Sequence, residues 1–375
     1  MAVGLCRSLR DIGQDCLLYI VIEERAGDKR NENLMRSLGD VGSFGQIRKT
    51  RCRFSPRLLF DLAANFREQG VRILHCHCYK ALFYAVLMRT LGFFDGAVVY
   101  TLHGLILPKG VMPSVIRGFQ MLGLRTADGV IGCSREVLAS SFPDPGGVKT
   151  AAIINAIELP AGDFTALQAG KTKARKELIK RYDLDPEGLV VINVGRLSSQ
   201  KNFPLYLQLI QRDMSMDPDS RANYLIVGNG ELQADLEAIA EKLGIRHRVV
   251  FTGFVSDMDS VYLGADLLIQ TSTWEGTPMC LLEARAYGLP VIAPAVGGNI
   301  DVVTSGKDGL LYPVGDADSL MAAFAEYCRD AALRQNHGQA AYEQTGTEFG
   351  MRDWALRHMD FYSVLTEGNA PEGLA

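Results

Sequence analysis

Long uninterrupted apolar runs are absent from this 375-residue sequence. Its longest strongly apolar stretch, ALFYAVLMRTLGFF at residues 81–94, is broken by Arg89. It falls short of the roughly 18 to 20 residues that a membrane span needs. No secretory pattern opens the chain, so the eight cysteines (Cys6, Cys16, Cys52, Cys76, Cys78, Cys133, Cys280, Cys328) read as reduced thiols of a cytoplasmic protein rather than as a disulfide framework. Repeats and low-complexity tracts are also missing. With 47% apolar and 22% charged residues, the composition excludes disordered, collagen-like and coiled-coil classes. At roughly 150 residues per domain the chain divides into two lobes.

Neither sign of charge dominates the whole, which carries a net −4. The halves differ, however. Residues 1–150 hold 20 Lys and Arg against 13 Asp and Glu, and the remainder holds 19 against 30. An amino-terminal half of net positive charge suits an anionic membrane surface or an acidic acceptor. Surface drift is the plain alternative.

Short apolar runs alternate with helical stretches. In the first half these runs are CLLYIVI (16–22), VRILHCH (71–77), AVVYTLHG (97–104) and GVIGCS (129–134). In the second they are LVVINVG (189–195), NYLIVGNG (223–230), RVVFTGF (248–254), ADLLIQTS (265–272) and LPVIAPA (289–295). The alternation predicts an α/β chain of two consecutive doubly wound lobes, with a ligand at the carboxyl ends of the strands and in the cleft between the lobes. A polar change of texture after residue 160 places the expected domains at 1–165 and 166–350. Residues 351–375 follow as a terminal helix and tail. Helical segments 55–68 (with Arg57 and Arg67) and 112–123 (with Arg117) are amphipathic and partly basic; each is suited to packing on a sheet or to lying on a membrane.

The most informative stretch is TSTWEGTPMCLLEARAYGLPVIAPAVGG, residues 271–298. Thr277 is a suitable N-cap and Pro278 a suitable first helical residue, while Gly288 and Pro290 stop the helix. Such a helix starts just beyond a strand, and its leading amides at Met279 and Cys280 suit a phosphate or sugar oxygen. Glu275 precedes the helix and Glu283 lies one and a half turns inside it, so their carboxylates can accept hydroxyl hydrogen bonds from different parts of one ligand. In VGRLSSQKN (194–202), Gly195 ends a strand and puts Arg196 and Lys201 in the next loop, where two cations can offset a diphosphate. A lone Arg and Lys in a loop are ordinarily solvated surface. The second helix-terminus site in the same lobe favours the ligand reading.

Residues 189–315 resemble the donor-binding lobe of the retaining glycosyltransferases of family 4, which have the GT-B fold of two facing Rossmann-like domains. The matching pieces are VGRLSSQKN, LIVGNGEL, VVFTGFVSDMDSVYLGADLLI, EGTPMCLLEA and GLPVIAPAVGG, in the family's order. Residues 1–160 are more weakly similar, through ILHCHCYKALFYAVL, VVYTLHG, GVIGCS and AAIINAIELP. The resemblance implies that Arg196 and Lys201 bind the donor diphosphate, that Glu283 holds the ribose, and that Gly195 and Leu281 belong to the same donor site. It implies that Glu275, with Gly276 and the amides of Met279 and Cys280, contacts the transferred sugar, and that His103 faces that sugar from the first lobe. The segment around Phe254 and Val255 would receive the base. The donor would be a nucleotide diphosphate sugar, with uridine as the family's most frequent base, and no cofactor or metal would be needed. A glycan or glycolipid acceptor and peripheral attachment to an inner membrane face complete the expectation, with no nucleic-acid partner. The chain departs from the pattern in three places: it opens inside the helix that follows the family's first strand and Gly-Gly loop, Asn155-Ala156 replaces Asn-Gly, and Asp301 is shorter than the usual acidic residue.

Other signals carry less. His75-Cys76-His77-Cys78 alternates on a strand, so a His pair and a Cys pair face opposite ways and no second ligand pair follows at zinc-finger spacing. The Asp-x-Asp pairs at 183/185, 217/219, 257/259 and 316/318 fit turns and helix caps. GNG at 228–230 lacks the third glycine of a dinucleotide fingerprint. Two alternatives to sugar transfer stand beside it: a nucleotide-sugar epimerase, which would need acid and base groups at the sugar ring, and a non-catalytic nucleotide-sugar-binding protein.

Overall fold

The computed structural model describes residues 1–23, 44–50, 54–104 and 111–366. The chain forms two compact units, one of Met1–Asn155 together with the segment from Met351 onward, the other of Ala156–Gly350.

The first unit runs α1 (Ala2–Asp11), β1 (Leu18–Glu23), β2 (Gly45–Thr50), α2 (Pro56–Glu68), β3 (Ile73–Cys76), α3 (Tyr79–Thr90), β4 (Ala97–Leu102), α4 (Val111–Thr126), β5 (Gly129–Gly132), α5 (Arg135–Ser141) and β6 (Lys149–Ala152). β1 and β2 pair in parallel, and β3-β4-β5-β6 form a four-stranded parallel sheet in sequence order. Strand β4 is buried at every residue, as a continuous apolar run in a parallel sheet should be. Ser55 caps α2 by accepting from the Leu58 amide, and Pro56 occupies its first position. The apolar face of α2 (Leu58, Leu59, Leu62, Ala63, Phe66) is consumed by the core, while Arg57 and Arg67 are exposed.

The second unit contains α6 (Phe164–Tyr182), β7 (Val190–Val194), α7 (Phe203–Met216), β8 (Asn223–Val227), α8 (Gln233–Lys242), β9 (Val249–Gly253), α9 (Met258–Gly264), β10 (Leu267–Ile269), α10 (Met279–Ala286), β11 (Val291–Pro294), α11 (Asn299–Val302), β12 (Leu310–Tyr312), α12 (Ala317–Arg329) and α13 (Ala331–Glu348). Its six parallel strands lie in the order β12-β11-β10-β7-β8-β9. The chain builds outward from β7 through β8 to β9, then returns to the other side of β7 and builds β10, β11 and β12. Between β7 and β10 the winding therefore reverses, and in open parallel sheets ligands bind outside the strand carboxyl ends at such a reversal. The strands beneath are fully buried at Val190, Val191, Ile192, Leu267, Leu268 and Ile269, which gives the site a rigid floor.

The connector from Ala156 belongs to the second unit, so the division falls ahead of the residue-165 boundary expected from composition. Ile157 donates its amide to the Phe349 carbonyl at 2.9 Å and pairs with Gly350, which ties the connector to the end of α13. The last helix, α14 (Met351–Thr366), belongs to the first unit. It packs on α1 in the first unit, and its Phe361 fills the space above Gly129, where an added Cβ would lie 2.7 Å from the ring. The Asp-x-Asp residues act as local caps and turns: Asp257 accepts from Ser260, Asp316 from Asp318 and Ser319, and Asp185 from Glu187. Among the described residues no helix is long and apolar enough to cross a membrane.

Candidate functional site

Two loops meet outside the carboxyl ends of β7 and β10. The first leaves β7 at Gly195 and turns through a short 3-10 segment, Ser199–Lys201. The second is Thr271–Pro278, leading into α10. Hydrogen bonds to backbone carbonyls stitch them together. Thr271 donates its hydroxyl to the Lys201 carbonyl at 2.8 Å, the Thr273 amide donates to Gln200 at 2.9 Å, and Gln200 Nε2 donates to the Trp274 carbonyl at 3.0 Å. Lys201 Nζ then donates to Glu275 Oε1 at 2.6 Å, with side chains only 17% and 6% exposed.

Glycines permit this closeness. A Cβ on Gly195 would lie 3.2 Å from Lys201 Cε, so the lysine stem lies across that residue. A Cβ on Gly228 would come within 2.1 Å of the Gly195 oxygen, and one on Gly230 within 2.3 Å of the Leu197 oxygen. The GNG segment thus serves backbone-to-backbone packing of the loops after β7 and β8. Gly297 and Gly298 do the same for the second loop: added Cβ atoms would lie 2.0 Å from the oxygens of Glu275 and Gly276, and the Gly298 amide donates to Gly276 at 2.9 Å.

Helix α10 begins at Met279 with Pro278 as its cap residue, one position later than Thr277 and Pro278 suggest. The cause is local, since Pro278 has ψ 85°, outside the helical range. No side chain caps the helix, and its positive end lies immediately after the Glu275–Gly276 turn. Cys280 sits in the first turn, where Gln270 Nε2 donates to its sulfur at 3.4 Å. Burial pushes the thiol up to about 11, so it is neutral near pH 7 and a poor nucleophile. Burial opposes the charge on Lys201, but the neighbouring Cys280 and Glu275 outweigh it and hold the ammonium above its ordinary range. Leu281 is fully buried. Glu283 accepts from Tyr262 Oη at 2.6 Å, and its own burial raises its carboxyl pKa despite that bond.

Arg196 takes another direction. Its side chain is 71% exposed, and its Nε and Nη2 lie 3.1 and 3.0 Å from Glu231 Oε2, beyond β8. The two loop cations are therefore held by two different carboxylates. Phe254, after β9, is 77% exposed, whereas the adjacent Val255 is buried. Sequence reasoning did not find Tyr262, Glu231 or Gln270, all of which hold residues of the site. Each is brought in by another element, and although all three lie within or beside quoted segments, no spacing links any of them to its partner.

In the first unit, His103 follows β4, and its Nε2 lies 3.2 Å from His77 Nδ1, with the rings stacked 5.5 Å apart. The His77 ring lies 4.4 Å from that of His75, which contacts Thr101 at 2.6 Å and Tyr362 at 2.5 Å. Burial pushes His77 down to about 3 and also lowers His103, so both are neutral near pH 7. Among the described residues no three His, Cys, Asp or Glu are grouped to hold a metal ion.

Comparison with known proteins adds two family matches: residues 174–344 match the model for Glycosyl transferases group 1, and residues 1–140 match Glycosyltransferase Family 4. The chain is 27% identical over 292 residues to the UDP-Gal:alpha-D-GlcNAc-diphosphoundecaprenol alpha-1,3-galactosyltransferase of Escherichia coli, covering 73% of this chain and 71% of that protein. It is 31% identical over 178 residues to the sulfoquinovosyl transferase SQD2 of Arabidopsis thaliana, covering 46% of this chain but only 33% of that one. Among solved structures, Alr3699/HepE of Anabaena in complex with UDP superposes with a TM-score of 0.76 at 19% identity, over 97% of this chain and 96% of that chain.

Proposed function

The chain belongs to the family 4 type of glycosyltransferase, with two Rossmann-like parallel-sheet units of the GT-B kind, and from that premise we propose that it moves a hexose-type sugar, with retention of anomeric configuration, from a nucleotide diphosphate donor to a cell-surface polysaccharide or lipid-linked acceptor. One observation carries this reading: at the point where the winding of the second sheet reverses, Lys201, Glu275 and the uncapped start of α10 occupy one small region. A cation kept charged and largely out of water is suited to a leaving diphosphate, because fixed charge there costs no reorganisation when the glycosidic bond breaks. Leading amides of α10, from Met279 and Cys280, add partial positive charge. Glu275 accepts from the transferred sugar's hydroxyls, and Glu283, aligned by Tyr262, accepts from the ribose. Arg196 exchanges Glu231 for the diphosphate, an exchange made easy because an exposed ion pair is worth only about 0 to 1 kcal/mol. Catalysis is then electrostatic, without a covalent nucleophile and without a step that requires a metal.

The UDP-bound structural relative supports uridine as the base, and the Escherichia coli relative, whose acceptor is diphosphoundecaprenol-linked, supports a lipid-linked acceptor. A peripheral place on an anionic inner membrane face fits the positive charge of residues 1–150. The first test is a thermal-shift screen against uridine, guanosine and adenosine diphosphate sugars, followed by assay with lipid-linked acceptors and NMR of the product's anomeric centre. Inversion of configuration would remove the retaining mechanism. Initial rates of Lys201→Ala should fall roughly 30- to 150-fold, the worth of about 2 to 3 kcal/mol of charge-assisted stabilisation. Arg196→Ala, acting from a more solvated position, should lose less; parental rates in both variants would dismiss their assignment to the diphosphate.

A further inference from the structure

Arg285 is the largest fully buried side chain of the described residues. It lies two positions after Glu283 on α10, about 200° further round the helix. Glu283 thus leaves one side of α10 toward Tyr262, and Arg285 leaves the other. Arg285 Nη1 donates to Asp308 Oδ1 at 2.8 Å and to the Asp308 carbonyl at 3.2 Å, while Nη2 donates to Gln344 Oε1 on α13 at 2.6 Å. Asp308 Oδ1 also accepts from the Thr304 amide at 2.9 Å, which fixes the turn before β12. The pair is 0% and 1% exposed, and among the described residues Arg285 Nε and Asp308 Oδ2 have no hydrogen-bond partner.

This is a poor way to gain stability. Desolvating two charges costs several kcal/mol each, two polar atoms here recover nothing, and apolar replacement of such pairs is often neutral or better. What the pair supplies is direction. Charge-assisted bonds from one guanidinium to Asp308 and Gln344 fix the rotation of a two-turn helix, where an apolar contact would let it slide. We propose that Arg285 and Asp308 are positioning residues of the donor site: by locking α10 from behind, they set the angle at which Glu283 and the leading amides meet the nucleotide. This rests on the second unit being the donor-binding lobe.

The test is calorimetric titration of the full chain with UDP, alongside thermal unfolding, for the parent, Arg285→Met/Asp308→Leu and Gln344→Met. The double variant should unfold within a few degrees of the parent, yet bind UDP about tenfold or more weakly. Gln344→Met removes one bond without stranding a buried charge and should weaken UDP roughly threefold. A folded double variant with parental affinity for UDP overturns the proposal. If the double variant does not fold, Gln344→Met decides, and parental affinity there overturns it equally. A parent that binds neither UDP, GDP nor ADP refutes the donor-lobe reading itself, and this proposal with it, a result distinct from any failure confined to the variants.

Discussion

Glu283 is pulled two ways, and the balance is measurable. Burial favours its protonated form, while the bond from Tyr262 favours the carboxylate. Only the carboxylate accepts from two ribose hydroxyls at once, so donor binding should weaken as pH falls through a value above the ordinary 4.5. Removing the hydroxyl in Tyr262→Phe withdraws the influence that lowers the pKa. The acid limb of kcat/KM should then move to higher pH, with the pH 8 value reduced only severalfold. A pH–rate profile with an unmoved acid limb would show that Glu283 does not titrate in that limb. At this scale the sequence was uneven in what it disclosed. Lys201, Glu275 and Cys280 could be named from strand-end and helix-start patterns because those patterns are local. Tyr262 and Glu231 could not, since each meets its partner across elements that no spacing connects.

The loops at the strand ends are held together by absent side chains as much as by present ones. Gly297 has φ +54°, and an added Cβ would lie 2.0 Å from the Glu275 oxygen. Gly297→Ala should therefore cost about 2 kcal/mol or more of stability, read by denaturant unfolding, and displace Glu275 enough to depress initial rates in the protein that remains folded. Among the strands, those whose short apolar runs alternate with helices were readable. β2 and β6 were not: β2 exposes Arg48 and Lys49 in succession, and β6 is an edge strand with Lys149, Thr150 and Ala152 exposed. Neither offers the periodic burial from which a strand is recognised. The start of α10 differed by one residue because proline sets φ, while its ψ is left to context.

Across the whole molecule, two series of alternating elements were enough to anticipate two parallel-sheet units, since this pattern has few stable layer arrangements. The opposite charge of the two halves leads to a prediction at the same scale. Flotation with vesicles of anionic lipid should recover the protein at about 0.1 M salt and release it at about 1 M, where the screening length falls from about 10 Å to about 3 Å. Equal recovery with neutral lipid would dismiss the electrostatic attachment. The destination of residues 351–366 could not be read: helical periodicity says that Trp354, His358, Phe361 and Tyr362 bury one face, but not which unit receives it. That destination has a consequence during synthesis. Residues 156–350 are contiguous and can condense as soon as they leave the ribosome, whereas the first unit waits for Tyr362 to reach His75. The first unit is thus completed only by its second segment, and a chain cut after residue 350 keeps every residue of one unit but takes Tyr362 away from the other.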